Sequence, residues 1–265
     1  MSSVNINDCE WNYIDRGTGD VILFVHGFPL DHSMWNGQLE DLSGDFRVIA
    51  PDLAGFGRSA TVDGTLSMAR LADDLATLLD RLEIETPIVF CGLSMGGYVG
   101  WQMWQRHPNR LSHLIQCDTR AIGDSPEVAR GRQMMATNLM QGSAKVSSVA
   151  EALIPKLFAS SAVESGAAIV HSTKDVILKC PPQTVAAAQL GMAERDDFSD
   201  RLGEIQTPSL IVCGEHDVIS PTDEMKGIAA AMPIAKYVEI KGAGHMSPLE
   251  DSAVFNRHVR EFLAN

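Results

Sequence analysis

The sequence predicts an α/β fold: a doubly wound, mostly parallel sheet with a helical cap inserted before the last strands. Short apolar runs alternate with longer stretches of helical period over most of the 265 residues. This alternation stops between residues 121 and 200, where the pattern is helical without a convincing strand. We therefore expect a core domain formed by residues 1–120 and 201–265, and a cap formed by residues 121–200.

Most strand candidates are nearly continuous apolar runs, which is typical of parallel strands covered on both faces. They are Val21–His26, Phe46–Ala50, Pro87–Cys91, Leu111–Cys117, Ser209–Cys213 and Lys236–Ile240. The opening stretch from Val4 to Arg16 alternates loosely between polar and apolar residues and is followed by Gly17–Gly19. This pattern predicts an antiparallel edge to the sheet.

Helical spacing of apolar residues predicts helices over Ser67–Leu82, Met95–His107 and Ser252–Leu263. About four more are expected in the cap. The clearest apolar stripe there runs from Val146 to Phe158, and Pro155 is expected to kink or end that helix. Because open α/β sheets bind ligands at the carboxyl ends of their strands, the cap is expected to cover that edge.

The formal net charge is −13, from 21 Lys and Arg against 34 Asp and Glu. This excess argues against nucleic acid and anionic membranes as partners. The five cysteines are scattered and form no CxxC pair, so we expect buried free thiols in a reducing cytoplasm. The sequence shows no zinc-like cluster, no apolar stretch long enough to cross a bilayer and no secretory signal.

The strongest chemical signal is a serine between a predicted strand and a predicted helix. Ser94 stands in Gly92–Gly96, directly after the run Ile88–Cys91. Glycine two residues before and after the serine fits a nucleophile elbow, since a bulky side chain cannot fit where strand and helix nearly touch. Such turns can also bind phosphate, but no G-K-[ST] follows and no second G-x-G precedes, so nucleotide binding is disfavoured.

A serine hydroxyl needs a base to take its proton, and two later loops supply candidates. Asp217 follows the strand Ser209–Cys213, and His245 follows the next predicted strand. The order serine, acid, histidine fits this type of elbow, and all three residues are expected at the same rim of the sheet. Asp118 is the rival acid, because it also follows a strand.

A loop after the first parallel strand is expected to help stabilise negative charge. His26–Pro29 reads HGFP, so the Phe28 amide can supply one oxyanion-hole donor while the Met95 amide supplies the other. His26 is expected to shape this loop. Removing one such donor typically lowers turnover about 100- to 1,000-fold.

Five segments in this order resemble the α/β-hydrolase superfamily, over the chain from about Val21 to its end. They are HGFP, PDLAGFGRS (Pro51–Ser59), GLSMGG (Gly92–Gly97), GEHD and GAGH. His26–Trp35 and Asp118–Ala121 are similar to esterase-like members close to 3-oxoadipate enol-lactonases. The resemblance implies acyl-enzyme chemistry on a small ester or lactone, and this mechanism requires no metal or organic cofactor. A serine at the elbow departs from haloalkane dehalogenases and epoxide hydrolases, which use aspartate there.

Several alternatives stay open from the sequence. The same triad could hydrolyse a carbon–carbon bond or carry out perhydrolysis, or the fold could serve a ligand-binding or signalling protein. Trp35 could line an apolar acyl pocket. Arg120 could pair with a substrate carboxylate; the competing interpretation is a structural ion pair with an aspartate.

Overall fold

The computed structural model describes residues 1–264, in which eight strands form one sheet of order β1-β2-β4-β3-β5-β6-β7-β8. The strands are β1 (Ser2–Ile6), β2 (Cys9–Arg16), β3 (Val21–Val25), β4 (Arg47–Pro51), β5 (Ile88–Leu93), β6 (Leu111–Cys117), β7 (Ser209–Gly214) and β8 (Ala235–Ile240). From β4 to β8 across the sheet the pairing is parallel, while β1 and β2 are antiparallel. The predicted α/β sheet is confirmed.

The predicted antiparallel edge consists of the two strands β1 and β2. β1 and β2 form a hairpin in which Ile6 pairs with Cys9. The two loop residues, Asn7 and Asp8, have φ values of 50° and 63°. Two positive φ values are the mark of a type I′ turn, for which Asn and Asp are among the favoured residues. The hairpin is therefore encoded locally by this pair.

The three core helices predicted over Ser67–Leu82, Met95–His107 and Ser252–Leu263 lie close to their predicted positions. Residues 1–264 contain eleven α-helices in all. They are α1 (Asn36–Asp41), α2 (Met68–Arg81), α3 (Met95–Arg106), α4 (Pro126–Met140), α5 (Val146–Leu157), α6 (Ser160–Glu164), α7 (Ala168–Lys179), α8 (Pro182–Ala193), α9 (Thr222–Ala231), α10 (Ser247–Glu250) and α11 (Ser252–Leu263). α2 packs against α3, and α1 packs against α11. None of the helices within residues 1–264 combines the length and hydropathy needed to span a membrane.

The helical insertion between β6 and β7 is confirmed, with helices α4 to α8 where about four were expected. α4 packs on α8, and α5 packs on α7. Pro155 stands in the last turn of α5, which ends at Leu157. α8 rests on the core, since Thr184 Oγ1 donates to Gly55 O at 3.0 Å and Leu66 N donates to Ala187 O at 3.1 Å. The exact division into core and cap domains stays a prediction.

The core surrounds the central strands. Every residue of β3 and β5 is buried, as the continuous apolar runs predict. The five cysteines are buried free thiols, as expected. The predicted nucleophile, acid and histidine follow β5, β7 and β8, so the sheet delivers all three to its carboxyl edge.

Candidate active site

Ser94 occupies a left-handed turn between β5 and α3. Its φ and ψ are 53° and −112°, a conformation that costs a non-glycine residue about 1–3 kcal/mol. Neighbouring groups hold this turn in place. Ser94 N donates to Cys117 O at 2.9 Å, and Thr119 Oγ1 donates to Ser94 O at 2.7 Å. These two bonds hold the Ser94 turn against the end of β6. The sequence pattern did not indicate the contact through Thr119.

The flanking glycines allow this close approach. A Cβ at Gly92 would overlap the backbone oxygen of Gly96, and a Cβ at Gly96 would overlap that of Val25 at the end of β3. Both obstacles are backbone atoms, which cannot rotate away as a side chain can. The glycine spacing thus reflects the contact between β3, β5 and α3.

His245 and Asp217 form a buried hydrogen-bonded pair. His245 Nδ1 lies 2.8 Å from Asp217 Oδ2, and the two residues are 1% and 6% exposed. The other carboxylate oxygen of Asp217 accepts from Ile219 N at 2.7 Å and Ser220 N at 3.0 Å. The bond to Asp217 assigns the proton to Nδ1, so Nε2 of the neutral ring is left with the lone pair that a general base needs.

Asp118, the rival acid, makes other bonds. Its carboxyl accepts from Gly214 N at 2.7 Å and from the hydroxyl of Ser247, both of which flank the Asp217–His245 pair along the chain. Asp118 is fully buried. Burial, and after it the nearby charge of Asp217, raises the pKa of Asp118 well above its usual range. Asp118 therefore joins the end of β6 to the loops that carry Asp217 and His245.

His26 braces the predicted oxyanion loop, as expected from the sequence. Its Nε2 accepts from Leu53 N at 3.1 Å, which leaves the proton on Nδ1 to bond Gly27 O at 2.9 Å. Burial lowers the pKa of His26, so the ring stays neutral. A Cβ at Gly27 would lie 3.5 Å from Ser94 Cβ, which places the loop beside the serine.

The two predicted oxyanion donors flank this contact. Phe28 follows Gly27 directly, and Met95 N is the first amide of α3. The first amides of a helix have no acceptor within the helix and favour an anion.

Both residues predicted to contact substrate, Trp35 and Arg120, have protein partners. Trp35 is fully buried, with its ring centroid 5.0 Å from that of Phe24 and 6.2 Å from that of Phe255, so it packs in the core. Arg120 forms an ion pair with Glu224, Nη2 to Oε2 at 2.8 Å. This is the structural pairing weighed above, with a glutamate in place of the expected aspartate. A substrate contact for either residue stays a prediction.

Within residues 1–264, two groups of side chains have the composition of a metal site. Donor atoms of Asp118, Cys213 and Asp217 lie within 4.8 Å of one another, as do those of Asp31, His32 and Asp52. In both groups the carboxylate oxygens accept hydrogen bonds from protein atoms. In the second, Asp52 accepts from His32 Nδ1 at 2.7 Å, and Asp31 accepts from Ser33 N at 2.9 Å.

Two open clefts separate α7 from the segment after the oxyanion loop. Their volumes are about 450 and 220 Å³, and they share Leu30, Asp31, Ser33 and Val176 among their lining residues. Since Leu30 follows Phe28 by two residues, the clefts border the loop that approaches Ser94.

Comparison with known proteins agrees with the fold. Residues 20–252 match the model of the family described as the alpha/beta hydrolase fold. The chain belongs to the α/β-hydrolase family. The resemblance predicted from the sequence is thus confirmed, over nearly the whole chain.

The relatives of this α/β hydrolase include esterases and enol-lactonases. It is 40% identical to a thermophilic esterase from Thermogutta terrifontis, with a TM-score of 0.95 over 100% of this chain and 98% of that one. It is 29% identical to an enol-lactonase from Burkholderia xenovorans, with a TM-score of 0.91 over all of both chains. It is also 25% identical to 3-oxoadipate enol-lactonase 2 of Acinetobacter baylyi, over 97% of this chain and 94% of the relative.

Proposed function

We propose that this α/β hydrolase cleaves a carboxylic ester or lactone through an acyl-enzyme on Ser94. His245 is the general base and Asp217 orients it. The observation that carries the proposal is the buried Asp217–His245 bond, which frees Nε2 at the sheet edge where the strained turn presents Ser94. The similarity to an esterase and to enol-lactonases supports an acyl substrate.

The chemistry follows from these roles. Ser94 Oγ attacks the carbonyl carbon while His245 Nε2 takes its proton, and the Phe28 and Met95 amides stabilise the resulting oxyanion. His245 then gives the proton to the leaving alkoxide as the ester bond breaks. Water, deprotonated by the same nitrogen, attacks the acyl-enzyme and releases the acid and free Ser94. In a lactone the alcohol stays tethered to the acyl group through the ring carbons in both steps, so hydrolysis of the acyl-enzyme releases one hydroxy acid.

The clefts along α7 are the proposed route to this site. They border the oxyanion loop on one side and the cap on the other. In this arrangement the cap helix shapes the acyl pocket, and a pocket of this kind separates substrates that differ by one methylene by about 1–3 kcal/mol.

The experiment is hydrolysis of p-nitrophenyl esters of increasing acyl length by wild type and Ser94→Ala. We expect kcat to fall on the order of 10⁶-fold in the variant. Ser148→Ala, an exposed serine on α5, is the matched control and should keep full activity. Labelling by a fluorophosphonate should be lost in Ser94→Ala alone.

Equal activity in wild type and Ser94→Ala would show that Ser94 is not the nucleophile. Absence of both turnover and labelling in wild type would overturn the esterase proposal and favour a ligand-binding role. Labelling without ester turnover would instead point to another bond, such as the carbon–carbon bond considered from the sequence.

A further inference from the structure

The cap touches the histidine loop through a short backbone segment, Leu157–Ala159, which joins α5 to α6. Met246 N donates to Leu157 O at 2.9 Å. A Cβ at Gly244 would lie 2.5 Å from Ala159 N and 2.6 Å from the carbonyl carbon of Phe158. The cap backbone thus contacts the residues on both sides of His245, and Gly244 leaves the room for it.

One carboxylate joins the two segments. Glu250 Oε1 accepts from Gly244 N at 2.7 Å, and Glu250 Oε2 accepts from Ala159 N at 3.0 Å. The backbone of Glu250 is itself tied to the same loop, because its amide donates to Met246 O at 2.9 Å. Each oxygen of this half-buried side chain therefore holds a different backbone, one from the histidine loop and one from the cap.

We propose that Glu250 is a positioning residue that couples the cap segment Leu157–Ala159 to the histidine loop. Through this coupling, the position of the cap segment on the core determines the position of the His245 side chain. The assignment rests on the proposed function, in which His245 is the general base. A displacement of about 1 Å in a catalytic group can lower turnover 100-fold, so a small shift of this segment has a large effect.

The bridge requires a carboxylate. An ionised Glu has two acceptor oxygens, whereas Gln has one acceptor and one donor group. In Glu250→Gln, the side-chain NH2 group would face either Gly244 N–H or Ala159 N–H, and two donors cannot form a hydrogen bond. The isosteric substitution Glu250→Gln therefore breaks one half of the bridge while keeping the side-chain volume.

The cap side of the bridge offers an independent variant. Ala159 has φ and ψ of −57° and 145°, and Phe158 before it has −117° and 155°. Proline accepts the first conformation, and the second is the extended one that a residue before proline prefers. Ala159→Pro therefore removes the N–H that binds Glu250 without forcing the backbone into a new region.

The test is a double-mutant cycle on p-nitrophenyl acetate, with Glu250→Gln, Ala159→Pro and the double variant. Since one charge-assisted hydrogen bond is lost, we expect each single variant to lower kcat about 10-fold with little change in KM. The double variant should be no slower than the slower single variant, because both changes break the same bridge. Glu151→Gln, an exposed glutamate on α5, is the control and should keep wild-type kcat.

Hydrogen exchange on the same proteins reads out the coupling without any turnover. Glu250→Gln should speed amide exchange in the cap segment 157–159, and Ala159→Pro should speed it at 244–246. Wild-type kcat in Ala159→Pro, additive losses in the double variant, or exchange that changes only on the mutated side would each overturn the proposal. Because the exchange measurement is independent of activity, failure of the ester hydrolase proposal would be seen separately, in unlabelled wild-type enzyme.

Discussion

Asp118 and Asp217 place carboxylate oxygens within 4.8 Å of each other at the ends of β6 and β7, yet they bond to different partners. Asp217 binds His245 Nδ1 at 2.8 Å, whereas Asp118 binds Gly214 N and the Ser247 hydroxyl. Two adjacent buried carboxyls cannot both ionise freely, because each charge opposes the other. Burial raises the pKa of Asp118, so we expect Asp118 to keep its proton while Asp217 holds the histidine.

Asp217→Asn should lower kcat for p-nitrophenyl acetate roughly 10⁴-fold, because an amide cannot hold the Nδ1–H tautomer or stabilise the imidazolium. Asp118→Asn is the matched control. An amide can mimic a neutral carboxyl that accepts from Gly214 N and bonds to Ser247, so its kcat should stay within about 10-fold of wild type. Losses of equal size in the two variants would contradict this division of roles.

Asp118 should also make the protein less stable as pH rises. Its raised pKa means that the folded protein keeps a proton that the unfolded chain loses above its usual pKa of about 3.9. The free energy of unfolding therefore falls with rising pH until the folded-state pKa is reached. Asp118→Asn has no such proton, so this contribution to the pH dependence is absent from the variant. In urea unfolding, the free energy of unfolding of the variant relative to that of wild type should therefore be higher at pH 8 than at pH 5. A difference between the two proteins that does not change with pH would contradict the raised pKa.

Gly96→Ala should destabilise the elbow, because its Cβ would overlap the backbone oxygen of Val25. We expect a loss of about 3 kcal/mol in the free energy of unfolding, or no folded protein. Gly131→Ala in α4 is the control. Apart from its chain neighbours and the nearby backbone of its own helix, no described atom lies within 4 Å of its Cβ position, and alanine favours a helix by up to about 1 kcal/mol. Urea unfolding midpoints measure both. Similar midpoints for the two variants would argue against the tight contact of β3 with α3.

Arg120→Met should leave KM unchanged for acidic and neutral esters alike, because the guanidinium is already paired with Glu224. Both side chains are partly exposed, so breaking the pair should cost less than about 1 kcal/mol of stability. Glu224→Gln should give a stability loss of similar size. A rise in KM confined to acidic esters would instead favour the predicted role of Arg120 in binding a substrate carboxylate.

Much of the site could be predicted because its signals are local. The glycines around Ser94, the two-residue turn at Asn7 and Asp8, and the apolar runs of the parallel strands each act over a few neighbouring residues. Glu250 left no such signal. It stands five residues after His245 in a short helix, and its partner in the cap lies 91 residues away. Nothing in periodicity or spacing indicates which distant amide a side chain will reach.

The sequence by itself determined the fold class, the helical insertion, the elbow and the order of serine, acid and histidine, because these depend on residue type and period along the chain. The tertiary structure decided which of two aspartates binds His245, since both follow parallel strands and the pattern along the chain does not show where each side chain points. It also decided that Trp35 packs against Phe255 and that Arg120 pairs with a glutamate 104 residues away. These choices depend on how separate strands and helices meet, and this geometry exists only once the sheet is assembled.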